Sequence, residues 1–499
     1  MLKNLDKTIE HFDNLKTKRE KWNSVWKDIR QYICPQTEQK DLVFDSTSIW
    51  AREQLASGMQ SLLVNPSLEW FKIRTMDKDL QEEEEIKAWA SDVEKKIFDV
   101  FNYAGSNFYN QIHEFFLTLA AFGTSIFYVE EDISIPYGLF FRNIALDECY
   151  FEENRFGFVD SLYRLFKLPI KIAATKWPKC KEFIERLEKN PDERVEILHI
   201  VSPSEDKKGI FSYTSNYIYF ETRKLLSSGG YSYFPFLVTR WIKGETEPYG
   251  YSPGHYVLPD IKLLNKFKQI DIKLAQKNLE PPLLIPREGY AMPLYTAPGS
   301  INFYRNGMVD KIMPIAGMEN PVSSMEQQNQ CKEAILKAFY IDIFRMGKDK
   351  KEMTATEAQY RVEEQMRMMS PIVGRIETEF LNPLITTVYE CLLKYKIIEP
   401  LGNEKIDVEY VSPLVRAQKS SAIGSIESIL GFFQRSGVVN LFPEIYDNIN
   451  WDKVFKLFFD LRGAPTSVLR AEEEIEQIRK QRQMSQMMAT PATEAEKTQ

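Results

Sequence analysis

Residues 258–286 read LPDIKLLNKFKQIDIKLAQKNLEPPLLIP. Ile261, Leu264, Phe267, Ile270 (with Asp271 as the alternative occupant of that place), Leu274 and Leu279 recur at mixed, mainly three- and four-residue spacings among lysines. That spacing predicts a long amphipathic helix over residues 260–280. Pro281-Pro282 stops it, because proline removes a backbone donor and pushes the preceding residue away from helical backbone angles. Short strands and turns rich in Pro and Gly are expected over 283–315, and a second helix over 324–344. Helix, compact β insertion, returning helix describes a small strand module held on the end of a two-helix stalk.

Upstream, Ile9, Phe12, Trp22, Trp26, Ile29 and Ile33 share one helical face over the stretch from Asp6, and Pro35 ends that helix. Hydroxyls at Ser46–Ser48 are placed to cap a second helix through Ile49, Ala56, Met59 and Leu63, which breaks at Asn65-Pro66; Trp70 and Phe71 then read as extended and buried. The acidic run Glu82–Glu85 reads as a helix N-terminus favoured by the helix dipole rather than as a metal site. Two helices follow, with Trp89, Val93, Ile97 and Phe101 on one face and Phe108, Ile112, Phe115, Leu119 and Phe122 on the next, the second stopped by Gly123. Between Ser125 and Trp241 the runs become short and β-rich, at 125–129, 139–142, 160–166, 196–201 and 217–221, with one helical insertion over 170–189. This part reads as α+β with antiparallel strands, and the chain turns helical again after Pro259.

Downstream, RMGKDKKEMT at 345–354 is a polar, basic connection that breaks the periodicity, and Thr354-Ala-Thr-Glu357 fits a capping box. Met366, Met369, Val373, Ile376, Phe380, Leu384, Val388 and Cys391 stay in phase across Pro371 and Pro383, so one long kinked helix is expected, its methionines filling core gaps. Helical runs at 417–435 and 452–461 precede a highly charged helix from Pro465-Thr466 to Gln483, which is either solvated or partnered only in an assembly.

The chain has 499 residues, a length that allows two to four domains. With 64 Lys+Arg against 71 Asp+Glu the net charge is −7, which argues against a strongly basic, phosphate-seeking DNA binder. A hydrophobic share of 43% excludes disorder throughout, and 13% aromatic residues fit extensive packing or subunit contact. The five cysteines contain no C-x-x-C pair, so neither a zinc site nor a disulfide framework is expected and a reducing compartment fits. No signal-peptide core is present, and the long uncharged runs 115–129 and 225–239 fall short of the ~20 residues of a membrane span and carry Gly, Ser, Thr or Pro, so a soluble protein is expected.

Chemistry has little material. Gly347-Lys348 lacks the upstream glycine and the Ser/Thr of a phosphate-binding loop, and His113-Glu114 lacks the second histidine of a zinc protease. The four histidines, His11, His113, His199 and His255, are dispersed, and neither a G-x-S-x-G elbow nor a Rossmann glycine pattern occurs. No catalytic residue, metal site or cofactor is expected. The basic loop with Arg345, Lys348, Lys350 and Lys351 is either a solvated turn or a phosphate-facing tip, the second only if a ring of subunits aims many copies at one axis.

DSTSIWAREQLASGM at 45–59, Asn65-Pro66, Trp70-Phe71, Asn107-Phe108, AFGT at 121–124, LPDIKLLN at 258–265, EPPL at 280–283 and MTATEA at 353–358 stand in an order that resembles the portal, or head-to-tail connector, proteins of short-tailed bacteriophages, from Leu15 to Arg470. The resemblance implies an α+β portal-like fold. Residues 1–257 would form an N-terminal α region and β-rich wing, 258–280 and 316–344 the two stem helices, 281–315 a small β clip and 345–354 a tunnel loop. Residues 355–400 would be a long kinked helix and 401–485 a helical C-terminal crown region, with a disordered tail over 486–499.

It further implies a non-enzymatic, homododecameric ring at one capsid vertex of the virion, assembled in the host bacterial cytoplasm, with no membrane and no cofactor. Double-stranded DNA would pass through it without sequence readout, facing Arg345, Lys348, Lys350 and Lys351. The clip, with Pro281, Pro282, Arg287, Tyr290, Tyr295, Tyr304 and Arg305, would meet the terminase large subunit and later the tail adaptor or nozzle proteins, and capsid and scaffolding proteins would surround the ring. Two other classes stay open: another virion structural protein, such as an adaptor or internal core protein, and a packaging-associated nuclease or NTPase. The first is disfavoured by the helix, β insertion, helix order, and the second by the missing metal ligands and phosphate loop. The acidic balance fits a wall that repels phosphate except at a narrow collar.

Overall fold

Ile9, Phe12, Trp22, Trp26, Ile29 and Ile33 lie buried along one face of α1 (Leu5–Ile33) in the computed structural model of the chain, as their spacing requires. The structure describes residues 5–35, 43–75, 84–131, 135–204, 211–279, 283–284, 313–314, 322–344, 367–400 and 406–410 of a first unit, Met1–Tyr410. Of a second unit, Val411–Gln499, it describes 428, 431, 449–452, 454–455, 470, 474–475 and 477–482.

A five-stranded antiparallel meander forms the largest sheet: β4 (Cys149–Glu153), β5 (Val159–Pro169), β6 (Arg194–Pro203), β7 (Tyr213–Tyr219) and β8 (Lys224–Tyr231), each paired to the next. Successive side chains of a strand point to opposite faces. On β6, Leu198 and Ile200 join Phe12 and Leu15 of α1, whereas Val195 and Ile197 join Ile170, Ala173, Trp177 and Phe183 on the other face. Helices therefore cover both faces, which is why β6 carries apolar residues on both, Val195 and Ile197 on one and Leu198 and Ile200 on the other.

The expected single helical insertion is two helices, α5 (Ile170–Lys176) and α6 (Lys181–Lys189), interrupted where Pro178 follows Trp177. Arg19 pins α1 to this sheet. Its buried guanidinium donates to the carbonyls of Leu146, Asp147 and Cys149 and to Tyr150 Oη, and lies 3.6 Å from the Tyr150 ring centre.

A second core is built from phenylalanines. The helices α2 (Thr47–Leu63), α3 (Glu84–Asn102) and α4 (Phe108–Phe122) pack with β2 (Thr124–Glu131), which pairs with β3 (Leu139–Ile144) on one edge and β9 (Phe236–Arg240) on the other. Phe101 stacks on Phe108 at 4.1 Å and Phe115 on Phe380 at 4.2 Å, with Phe127 and Phe141 between them. The Ser46 hydroxyl makes no cap: the Asp45 carboxylate accepts the Thr47 N–H instead, and Ser48 Oγ donates to Tyr32 O across to α1. Trp70 and Phe71 are extended and buried as expected, Phe71 opening β1 (Phe71–Thr75), whose antiparallel partner is β14 (Ile406–Tyr410) near the end of the unit.

Gly123 ends α4 with φ of +70°, a left-handed conformation costly for other residues. It also faces the backbone of Gly250 so closely that a Cβ on either would lie within 2.5 Å of the other's carbonyl oxygen. Within the expected long kinked helix, residues 367–376 form α10 and Asn382–Lys394 form α11; residues 355–366, Met366 among them, lie outside the described residues. The segment joining α10 to α11, Glu377–Leu381, is a π-helical turn. Glu379, Phe380 and Leu381 are all buried there, three consecutive positions that would span some 200° of an ordinary helix; the wider π turn brings them together against the core.

Glu379 meets Arg240, the most enclosed charge among the described residues, 1% exposed. The Arg240 backbone N–H, Nε and Nη2 donate to the Glu379 carboxylate at 2.9, 3.2 and 2.7 Å. Nη1 also bonds Glu153 at the end of β4, and Nη2 donates to Gly157 O at 2.9 Å. Arg240→Ala leaves Glu379 and Glu153 without their shared partner in the interior and is expected to lower the unfolding free energy by ~3–5 kcal/mol, read from urea denaturation of the purified protein.

Glu94 of α3 accepts the Ile73 N–H at 2.6 Å, yet burial pushes its carboxyl up to about 7 from the ordinary 4.5. The folded chain thus favours the protonated form, and this contribution to stability is complete below 4.5 and lost as pH rises through about 7. Between pH 5 and pH 8 the native chain should lose more stability than Glu94→Gln, measured by paired denaturation curves.

Candidate functional site: the helix pair around the β insertion

Two helices bracket the β insertion. α7 spans Pro253–Leu279, beginning before Pro259 rather than after it, with Pro253 at its first position, where a missing N–H costs nothing. The returning helix is not continuous: α8 (Val322–Ala338) stops, Tyr340 takes φ of +57°, and a short α9 (Ile341–Phe344) follows. The Tyr340 ring sits 6.2 Å from buried Trp241, which fixes the break against the body.

The root of α7 is set by the hairpin before it, β10 (Ile242–Lys243) and β11 (Gly250–Tyr251). Gly250 N–H donates to Thr124 Oγ1, and Ser252 Oγ donates to Ala121 O. Both helices are buried at the root and exposed at the insertion end. Val257, Leu258, Ile261 and Leu264 of α7 and Cys331 and Ile335 of α8 are buried, whereas Leu279 is 83% and Met325 72% exposed. Between the two ends Gln328 Nε2 donates to Asp271 Oδ2 at 2.9 Å. The apolar stripe of the sequence turns here: Asp271, not Ile270, faces α8, and Ile270 is exposed.

Beyond α7, β12 (Leu283–Leu284) pairs antiparallel with β13 (Met313–Pro314), so the departing and returning chains run side by side.

The outer surface of α7 is divided. Tyr256, Leu263 and Ile270 recur every seventh residue and are exposed, on the face opposite the buried Ile261, Leu264 and Asn265. Lys262, Lys266, Lys273 and Lys277 line an adjacent side of a helix with five lysines against two aspartates. Lys262 pairs with Asp28 of α1 at 2.6 Å, while Lys266, Lys273 and Lys277 meet no carboxylate among the described residues. No group of three or more His, Cys, Asp or Glu residues is placed to hold a metal ion among the described residues, and no described helix is long and apolar enough to cross a membrane.

Arg345, Lys348, Lys350 and Lys351, which follow α9 in sequence, lie outside the described residues, and so do Pro281 and Pro282, which precede β12 in sequence, and Arg287, Tyr290, Tyr295, Tyr304 and Arg305, which fall between β12 and β13 in sequence. What sequence reasoning missed are the polar links that hold the helix pair: Gln328 to Asp271, Lys262 to Asp28, and Asn265 Oδ1, which accepts the Phe44 N–H at 2.7 Å. The available signal was Asp271 itself, a charge standing in an apolar stripe. Gln328→Ala should cost ~1 kcal/mol locally and speed amide exchange over 266–279 while leaving α1 and the five-stranded sheet unchanged, as read by hydrogen-exchange mass spectrometry.

Residues 5–469 match the family described as bacteriophage head to tail connecting protein. The probable portal protein of Bordetella phage BPP-1 is 26% identical over 522 aligned positions, covering 97% of this chain and 92% of that protein. The portal protein of Salmonella phage epsilon15 is 25% identical over 528, covering 97% and 93%. Among solved structures, a chain of the virion of a native gene transfer agent particle aligns with a TM-score of 0.39 at 10% identity, over 81% of this chain and 88% of that one.

Proposed function

The chain belongs to the family of bacteriophage head to tail connecting proteins, and we propose that it forms a closed ring of twelve copies at one capsid vertex, through whose channel double-stranded DNA is packaged and later ejected. The observation that carries this reading is the order of elements within a chain matched to that family almost end to end. Two helices, buried at one end and exposed at the other, deliver an antiparallel strand pair at the exposed end.

In this reading α7 and α8 are the stem, and the loop closed by β12 and β13 is the clip, which docks the terminase large subunit during packaging and the tail adaptor or nozzle afterwards. The sheets with α1 to α6 are the wing, and the chain beyond α10 leads to the crown. Capsid and scaffolding proteins surround the ring. Leu263 and Ile270 give the stem an apolar seam for the neighbouring copy, since seven-residue spacing is the period at which one helix packs along another.

The protein acts by conducting and docking, without catalysis or a cofactor. DNA of every sequence must pass, so contact is with phosphates and not with base edges. In a chain of net charge −7 two basic elements stand out, the lysine side of α7 and the segment with Arg345, Lys348, Lys350 and Lys351. A wall that is acidic elsewhere limits adhesion, and a collar of a few lysines per copy retains the duplex. Replacing Lys348, Lys350 and Lys351 together by Ala should reduce packaged or retained DNA in assembled particles while ring formation stays intact. Packaging and retention equal to the native protein would contradict the proposal.

A further inference from the structure

At the root of α7, Trp22 and Val25 of α1, Glu247 between β10 and β11, Tyr251, His255 and Tyr256 line an open pocket of about 360 Å³, with Lys21 at its edge. Aromatic rings make up most of the wall. Trp22 and Tyr251 are 4.9 Å apart between ring centres, Trp22 and His255 5.7 Å, Tyr251 and His255 5.6 Å, and Tyr251 and Tyr256 6.4 Å. One carboxylate enters the pocket: Glu247 Oε2 accepts the Tyr251 hydroxyl at 3.0 Å, and no cationic group among the described residues pairs with it.

His255 adds a ring without a charge. Its Nδ1 lies 2.8 Å from Ser252 Oγ and 3.0 Å from Ser252 N, and burial pushes its pKa down to about 4, so it is neutral near pH 7. Its Nε2 is buried with no protein partner.

The faces of aromatic rings carry negative potential, and a carboxylate beside them adds a full negative charge. A neutral aliphatic side chain would fill the space but leave Glu247 unanswered, and an anion would be repelled. An Arg or Lys side chain satisfies both, its methylene stem against the rings and its cationic head at Glu247. A peptide carrying that side chain also brings backbone C=O groups, one of which can accept from the partnerless Nε2–H of His255, whose Nδ1 already accepts the Ser252 N–H.

We propose that this pocket is a docking site for a partner protein, taking one Arg or Lys side chain of an extended peptide segment between Trp22, Tyr251 and Tyr256 with its charge against Glu247. Lys21 is exposed and is the intramolecular competitor, able to swing toward the same carboxylate.

Saturation-transfer NMR on the full-length protein tests this with three probes: acetyl-Gly-Arg-Gly amide, the same tripeptide with neutral citrulline in place of arginine, and guanidinium chloride alone. The arginine peptide should receive roughly fivefold or more transfer compared with the citrulline peptide, a ratio within the range of a partly desolvated cation–π contact. It should also exceed guanidinium. Glu247→Gln and Tyr256→Ala, the second at a position 58% exposed and so harmless to folding, should each remove most of that difference, and Lys21→Ala should leave it intact or enlarge it. Equal transfer to the arginine and citrulline peptides, selectivity that survives Glu247→Gln, guanidinium binding as well as the peptide, or no transfer to any probe would each overturn the proposal.

Discussion

The buried meeting of Arg240 with Glu379 and Glu153 is the constraint on which the first unit most depends. One guanidinium at the end of β9 reaches the π turn between α10 and α11, the end of β4 in the five-stranded sheet, and the Gly157 carbonyl of the β4–β5 turn. Two ions brought out of water repay the cost only with near-complete hydrogen bonding, and here the guanidinium and both carboxylates are multiply bonded, with Lys243 on Glu153 and Arg375 on Glu379. The geometry tolerates little displacement, so the three-stranded sheet, the meander and the helix leading toward the C-terminus are held in one register. Phe380, next to Glu379, stacks on Phe115, so the ionic contact and the aromatic core fix the same turn.

That arrangement positions the helix pair. Trp241 follows Arg240 directly and donates its N–H to Gly123 O, and the backbones of Gly123 and Gly250 then lie against each other. The chain leaves this tight junction through Ser252 into α7, so the direction of the helix is set by rigid backbone contacts rather than by a loop. In the ring proposed above, stems that must align in every copy need that kind of root. The exposure of Leu263, Ile270 and Leu279 along the same helix is costly for an isolated chain and becomes reasonable once copies stand side by side.

Much of this was legible in local pattern. The stripe of α1, the Phe108-to-Phe122 face, the Gly123 stop and the antiparallel character of the middle third follow from periods of 3.6 and 2 and from turn residues, because burial imposes those periods directly. What escaped depends on tertiary partners. Nothing near Phe71 announces Tyr410 as its strand neighbour, and nothing in Arg240 or Glu379 distinguishes them from solvated charges. Local preference was overridden at Pro259, inside α7, and at Tyr340, whose left-handed turn is held by packing on Trp241. The clip and tunnel-loop positions rest on the family resemblance, which the match over residues 5–469 supports at the level of the family. The acidic total is unevenly spread along the chain, since α7 is locally basic within it.

The proposed function requires that copies of the chain close into a ring with a channel. Native mass measurement of the purified full-length protein, paired with electron-microscope top views of the same sample, tests it most directly. One dominant species of twelve chain masses whose views show a central hole is expected, and a population of monomers, or open filaments of varying length without a channel, would rule the ring out.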